Sequence, residues 1–321
     1  MTPDRDLIAA ALRAGAGALC RHQAPGGLWR DYDLPVGVSD EWVTALVGLC
    51  LAGVAAVEPS ARPAAAAAES ALTGGRCRPA GLGFNRAVAA DADSTATGLL
   101  LAAALGRPPH PADPGFLAAH VRPDGGVATF HGPLGWGRGH ACVTPVAALA
   151  LRACGQPLPG GIAPYARRMR GDDGFWPAYW WPGPFYATAA WLRLGASCGL
   201  DLPPPARPLA HPIHTAMDLA LALEIALHWQ ADAAGDLVAG LLACQGSDGR
   251  WPPSRTLRVT DPDCTDAAGA TGALYADHAG LVTTAMAVRA LGAVLAGASR
   301  TAARTAPPSD AGCPDSRVAP G

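Results

Sequence analysis

The sequence predicts an all-α fold, an α/α barrel of five to six helix hairpins, on three observations. Half of the 321 residues are apolar and only 16% are charged, so there is material for an extensive core. A unit of helix, glycine-containing turn, loop and second helix recurs along the chain. Within each unit the first helix is half polar and the second is apolar nearly all round, the pattern of an outer wall around a buried inner one.

The first unit has a helix over Asp6–His22, the turn Gln23-Ala24-Pro25-Gly26-Gly27-Leu28-Trp29, and a helix opened by Ser39-Asp40-Glu41-Trp42 that runs to Leu51. The second has the alanine-rich helix Ala61–Leu72, the turn Gly81-Leu82-Gly83-Phe84 and a helix from Asp93. The third has a short helix Pro114–Val121, the turn Asp124-Gly125-Gly126-Val127 and the helix His140–Cys154. The fourth joins Pro164–Met169 to Phe185–Cys198 through Gly174-Phe175-Trp176. The breaker Asp201-Leu202-Pro203-Pro204-Pro205 then leaves the helix His214–Trp229 without most of an outer partner. The last unit has Asp236–Cys244, the turn Gln245-Gly246-Ser247-Asp248-Gly249-Arg250-Trp251, a long loop, and the helix Asp277–Leu295.

Equivalent glycines Gly27, Gly83, Gly126 and Gly174 are 56, 43 and 48 residues apart, a period at which helix pairs stack or close into a ring. The barrel is expected to occupy residues 1–298 as one domain. The Ala-, Pro- and Ser-rich residues 299–321 read as a disordered tail.

A net charge of −2 provides no basic footprint for nucleic acid or an anionic membrane surface. No uninterrupted apolar run reaches the about 18 residues of a membrane span, and the residues after Met1 lack a signal-peptide core. The nine cysteines are scattered and mostly embedded in apolar helices, as reduced thiols of a cytoplasmic protein are. Nothing in the chain sets an oligomeric state.

The unusual stretch is Asp91-Ala92-Asp93-Ser94-Thr95-Ala96, two carboxylates at the start of a helix apolar on every side. An ordinary aspartate of pKa about 3.9 is protonated about once in a thousand at neutral pH. Burial beside a second carboxylate raises that value, and a shift of about three units corresponds to roughly 4 kcal/mol. The helix N-terminus acts the other way. The alternative is an N-cap and a solvated loop acid.

Gln23-x-x-x-Gly27-x-Trp29 and Gln245-x-x-x-Gly249-x-Trp251 resemble the QxxxGxW repeats of the squalene–hopene cyclase and prenyltransferase-β superfamily. Asp91-Ala92-Asp93-Ser94-Thr95-Ala96 resembles that superfamily's DxDDTA box, with Ser94 in place of the last acid. The segment from Gly174-Phe175-Trp176 through Trp180-Trp181 to Phe185-Tyr186 is similar to a family turn leading into a tyrosine-rich helix start. The likeness spans residues 5–297. It implies a single-barrel, class II terpene cyclase-like enzyme in which Asp93 protonates an alkene or epoxide of an isoprenoid and Asp91 tunes it. The family histidine that hydrogen-bonds the acid corresponds to Val146, with His140 as the residue that could stand in.

Aromatic faces stabilise a carbocation without deprotonating it. Trp42, Trp136, Trp180, Trp181, Phe185, Tyr186 and Tyr275 are the candidates, with Ser94 beside the acid; core packing is the alternative for each ring. His140, His214 and His278 stand near inner-helix starts, where a barrel would gather them at one rim. Three imidazoles with Asp93 or Asp277 could bind zinc, but none is local to another in sequence, and no metal site is assigned. The prenyltransferase zinc pattern is not matched by Asp261-Pro262-Asp263-Cys264, so that site is not carried over. The acidic loop Asp261–Asp266 reads as solvated, and Mg²⁺ enters only if the substrate is a diphosphate.

The expected activity is proton-initiated cyclisation or isomerisation of a small isoprenoid, with no cofactor. The alternatives are a metal-dependent hydrolase or transferase at the rim, and a non-catalytic isoprenoid-binding barrel.

Overall fold

The structure, a computed structural model, describes residues 4–205, 209–230 and 232–305. Among the described residues six helices form the inner wall: α2 (Glu41–Val54), α4 (Ala92–Ala104), α6 (Thr144–Ala153), α8 (Phe185–Cys198), α9 (Ala216–Trp229) and α11 (Leu281–Thr305). Each packs on the next and α11 packs back on α2, so the ring closes. The outer helices are α1 (Arg5–Arg21), α3 (Ala61–Gly74), α5 (Asp113–Ala119), α7 (Ile162–Met169) and α10 (Ala234–Cys244). Among the described residues no outer helix separates α8 from α9, where Pro203–Pro205 interrupt the pattern. No described helix is long and apolar enough to cross a membrane.

The contrast between the walls follows from side-chain pattern. Helix α3 buries only Ala61, Ala64, Ala65, Ala68 and Leu72, a single stripe at helical spacing. Helix α8 buries every residue from Phe185 to Leu192. Helix α11 continues to Thr305, past the boundary expected at Ser299; residues 306–321 of the expected tail lie outside the described residues.

The turns act as staples. Gln23 Nε2 donates to Gly27 O and to Ala64 O on α3, each at 2.9 Å. Gln245 Nε2 donates to Gly249 O at 2.8 Å and to Ala11 O on α1 at 2.9 Å, so the last turn is fastened to the first helix. Trp29, Trp176 and Trp251 each donate Nε1–H at 2.8 Å to the preceding outer helix, at Leu19 O, Ala166 O and Leu241 O. The backbone N–H groups of Trp29, Leu82, Val127, Trp176 and Trp251 donate to a threonine hydroxyl on the following inner helix: Thr44, Thr95, Thr144, Thr188 and Thr284. Gly27 has φ +85°, and a Cβ there would sit 2.6 Å from Ala67 O, so both conformation and space require glycine.

Short hairpins join turns to inner helices: β1 (Asp31–Leu34) with β2 (Gly37–Ser39), and β3 (Leu82–Gly83) with β4 (Ala90–Asp91). The long loop expected before α11 is instead an antiparallel hairpin of β5 (Arg255–Thr260) and β6 (Gly272–Ala276). Its alternation escapes a hydrophobicity reading because the buried face is polar: Thr256, Arg258 and Thr260. Arg258 donates to Ala178 O, Tyr179 O and Ala270 O, and its backbone N–H to Trp180 O. Trp136 Nε1 donates to Thr260 O, and Met217 N donates to Ser254 Oγ. The hairpin therefore ties loops from several units across the end of the ring where the inner helices start.

Candidate active site

Asp91 is the N-cap of α4, in extended conformation. Its Oδ1 accepts from Ser94 N and its Oδ2 from Ser94 Oγ, both at 2.7 Å. Ser94 is therefore spent on holding Asp91. Burial pushes the Asp91 carboxyl up to about 6, against the lowering effect of the Ser94 bonds.

Asp93 lies in the first turn of α4. Burial, and then the Asp91 charge, push its carboxyl up to about 7, with the Trp42 hydrogen bond acting in the opposite sense. At neutral pH Asp93 can therefore hold a proton, where an ordinary aspartate is almost wholly ionised. Asp91, held by two donors, is the carboxylate that ionises first. Asp93 Oδ2 accepts from Trp42 Nε1 at 3.0 Å, while Oδ1 is buried without a partner among the described residues.

A raised pKa does not mark the site by itself. Asp277, just ahead of α11, is also pushed up to about 7 by burial. Its oxygens, however, accept from Ser254 N at 2.6 Å and Thr283 N at 2.7 Å, and nearby Asp31 accepts from Ala279 N and Leu281 N. That pair is a backbone clamp. Asp93 differs in keeping one oxygen free.

The acid stands beside a run of aromatic rings. Tyr32 and Trp42 are 6.0 Å apart between centroids, Trp42 and Trp181 are 6.2 Å apart, and Trp181 stacks on Tyr186 at 4.2 Å and 15°. Tyr32 is buried at φ +52°, an uncommon conformation for a residue other than glycine. Burial and the Asp93 charge both push the Tyr186 phenol and the Cys142 thiol up. A cavity between the starts of α8 and α9 is lined by Trp181, Phe185, Tyr186, Met217, Leu221 and Thr256. Phe185 also packs edge-on against Phe175, on the other side of the wall.

Other expectations are corrected. His140 does not support Asp93: its Nδ1 meets Thr129 Oγ1 at 2.8 Å and its Nε2 meets Gly135 O at 2.9 Å. Burial lowers this imidazole to about 4, so it is neutral, with Nε2–H donating to Gly135. Its ring stacks on Tyr179, and Trp180 Nε1 donates to the same Thr129 hydroxyl, so both residues belong to one structural knot. Val146 is buried and offers no hydrogen bond, and the donor to Asp93 is Trp42.

The histidine rim does not assemble. His214 is exposed ahead of the capping box of α9, and His278 is exposed with Nε2 accepting from Asp33 N. No group of three or more potential metal ligands occurs among the described residues. Trp136 sits in the Gly135–Gly137 turn under the hairpin, and Tyr275 is half-buried on β6, so neither opens an inner helix. Asp261 and Asp266 are exposed, and their Oδ1 atoms accept local backbone N–H groups.

Arg193, Glu224 and Arg289 belong to none of the sequence motifs, yet the fold brings them together. Arg193 donates to Glu224 Oε2, and Arg289 Nε donates to Glu224 Oε1 at 2.7 Å. Burial pushes the Glu224 carboxyl up, but Arg289 and Arg193 outweigh it and hold the carboxyl below its ordinary value. Each of the three lies eight residues beyond the start of its inner helix, so they share a level about 12 Å along the ring axis. Charges embedded in otherwise apolar helices were the available signal.

The fold is similar to that of the type II terpene cyclase MstE from Scytonema, with 26% sequence identity and a TM-score of 0.79 over 92% of this chain and 99% of that one. A protein from Actinoplanes is 31% identical, with a TM-score of 0.77 over 89% of this chain and 99% of that one. Structures of MstE variants contain geranylgeranyl dihydroxybenzoate as substrate and merosterolic acid A as product. ent-Copalyl diphosphate synthase from Streptomyces platensis, at 18% identity and a TM-score of 0.50, shares the fold over half of its own length. No family model and no curated protein sequence matches the chain.

Proposed function

The chain belongs to the class II terpene cyclase-like superfamily, and from that premise we propose that Asp93 is the general acid that starts cyclisation of a prenylated substrate. The observation that carries this is the free Asp93 Oδ1: buried, protonatable at neutral pH and set beside stacked aromatic rings. The Oδ1–H bond breaks, its electron pair stays on Asp93, and the proton adds to an alkene carbon to leave a carbocation. Neighbouring alkenes then attack that cation in turn, and a final proton loss with reprotonation of Asp93 closes the cycle. Trp181 and Tyr186 offer ring faces rather than bases to the developing charge.

The Arg193–Glu224–Arg289 cluster carries one net positive charge and suits an anionic head group on the substrate. An aromatic carboxylate is the head group this reading favours, since the neighbour MstE takes geranylgeranyl dihydroxybenzoate. The enzyme then works without a metal. The eight described cysteines are free, which suits the cytoplasm. The test is incubation with prenylated aromatic acids and prenyl diphosphates. Cyclic product from the native protein and none from Asp93→Asn supports the reading; cyclisation by the variant overturns it.

A further inference from the structure

We propose that Trp42 is the positioning residue that decides which oxygen of Asp93 carries the proton. The inference rests on Asp93 being the acid, but its physical basis is separate. An indole Nε1–H is a donor only, and in a neutral carboxylic acid the carbonyl oxygen is a stronger acceptor than the hydroxyl oxygen, so the oxygen it faces is held as the carbonyl. That oxygen is Asp93 Oδ2, at 3.0 Å. The proton of the neutral acid therefore resides on Oδ1, the atom that is buried without a partner. A lone carboxylic acid would share the proton between both oxygens; the Trp42 bond removes that ambiguity.

Trp42 is held rigidly enough for this task. Its side chain is buried, and its ring is tilted against Tyr32 on one side and Trp181 on another, at 51° and 45°. It opens α2, while Asp93 opens the adjacent α4, so the bond spans 51 residues and joins two neighbouring staves of the ring. Other groups near the acid do not compete for Oδ2: Asp91 is occupied by Ser94, and His140 by Thr129 and Gly135. The arrangement supplies a donor where Val146 cannot. After proton transfer the same N–H faces a carboxylate and stabilises it, so the bond strengthens as the reaction proceeds.

The experiment replaces Trp42 with β-(3-benzothienyl)alanine, which keeps the shape of the ring and substitutes sulfur for N–H, alongside Trp42→Phe. Infrared spectra of the substrate-free protein below neutral pH are compared, the Asp93 carboxylic acid band being identified by its loss in Asp93→Asn. An acid carbonyl that accepts the indole bond absorbs at lower wavenumber, so the band moves to higher wavenumber in both variants. With a substrate that turns over, the variants lower kcat and move the alkaline limb of the pH profile upward, because a donor that favoured the ionised form is gone. A benzothienyl variant with an unmoved acid band and an unmoved alkaline limb overturns the assignment. Absence of any Asp93 acid band overturns the assignment and the catalytic reading together. A shifted band in a protein that cyclises nothing leaves the proton-locating role standing and removes the proposed reaction alone.

Discussion

Replacing Asp93 with asparagine is expected to remove part of the pH dependence of stability. In the folded chain burial and Asp91 hold the Asp93 carboxyl at about 7 against an ordinary 3.8. Below the ordinary value both folded and unfolded chains are protonated, so the group has no effect there. As pH rises from about 4 towards 7 the unfolded chain releases its proton while the folded chain retains it, and stability falls. The full difference, roughly three units, corresponds to about 4 kcal/mol, of which about 3 kcal/mol develops between about pH 5 and about pH 8. Asparagine cannot ionise and still presents an amide oxygen to Trp42 Nε1–H. Urea unfolding followed by circular dichroism at those two pH values reads the effect. The native chain should lose about 3 kcal/mol more than the variant on going to the higher pH. Asp91, at about 6, and Asp277, at about 7, contribute in the same sense to both proteins and cancel in the comparison. Parallel stability curves for the two proteins would refute the claim that Asp93 is buried as a neutral acid.

Three further outcomes test other parts of the structure. Glu224→Gln leaves Arg193 and Arg289 facing each other inside the ring, and because both keep some solvent contact the expected destabilisation is about 2–3 kcal/mol by chemical denaturation. Gln23→Ala removes the staple from Gly27 O and Ala64 O and should lower stability by about 1–3 kcal/mol, whereas the exposed Gln156 changed to alanine is not part of any staple and serves as the control. His140→Gln should disturb the Thr129–Gly135 knot and lower the melting temperature while leaving the alkaline limb of the pH profile in place, since His140 does not bond Asp93.

The architecture was legible because its signals are local. Helices apolar on every face, such as Leu99–Ala104 and Phe185–Leu192, have nowhere to go except an inner wall. Gly27 and Gly249 mark turns through a backbone conformation that few other residues adopt, Gln23 satisfies Gly27 O within the turn, and Trp29 satisfies Leu19 O at the end of the helix just before it. The position of Asp91 and Asp93 at the mouth of α4 likewise follows from chain order and capping chemistry. The β5–β6 hairpin was not legible, because its inward face carries threonine and arginine bonded to distant carbonyls.

The residues around the acid show where local reasoning stops. Composition and spacing placed Trp42 and His140 alike at inner-helix starts. Only the relative rotation and height of neighbouring helices decide that the Trp42 indole meets Asp93 while the His140 imidazole turns to Thr129 and Gly135. The same register brings Arg193, Glu224 and Arg289 to one level from three different helices. Sequence by itself determined the repeat, the two walls and the acid pair, since each is a matter of short-range periodicity and turn chemistry. Tertiary structure decided the partners, since a hydrogen bond across 51 residues depends on how two helices pack and not on either helix alone.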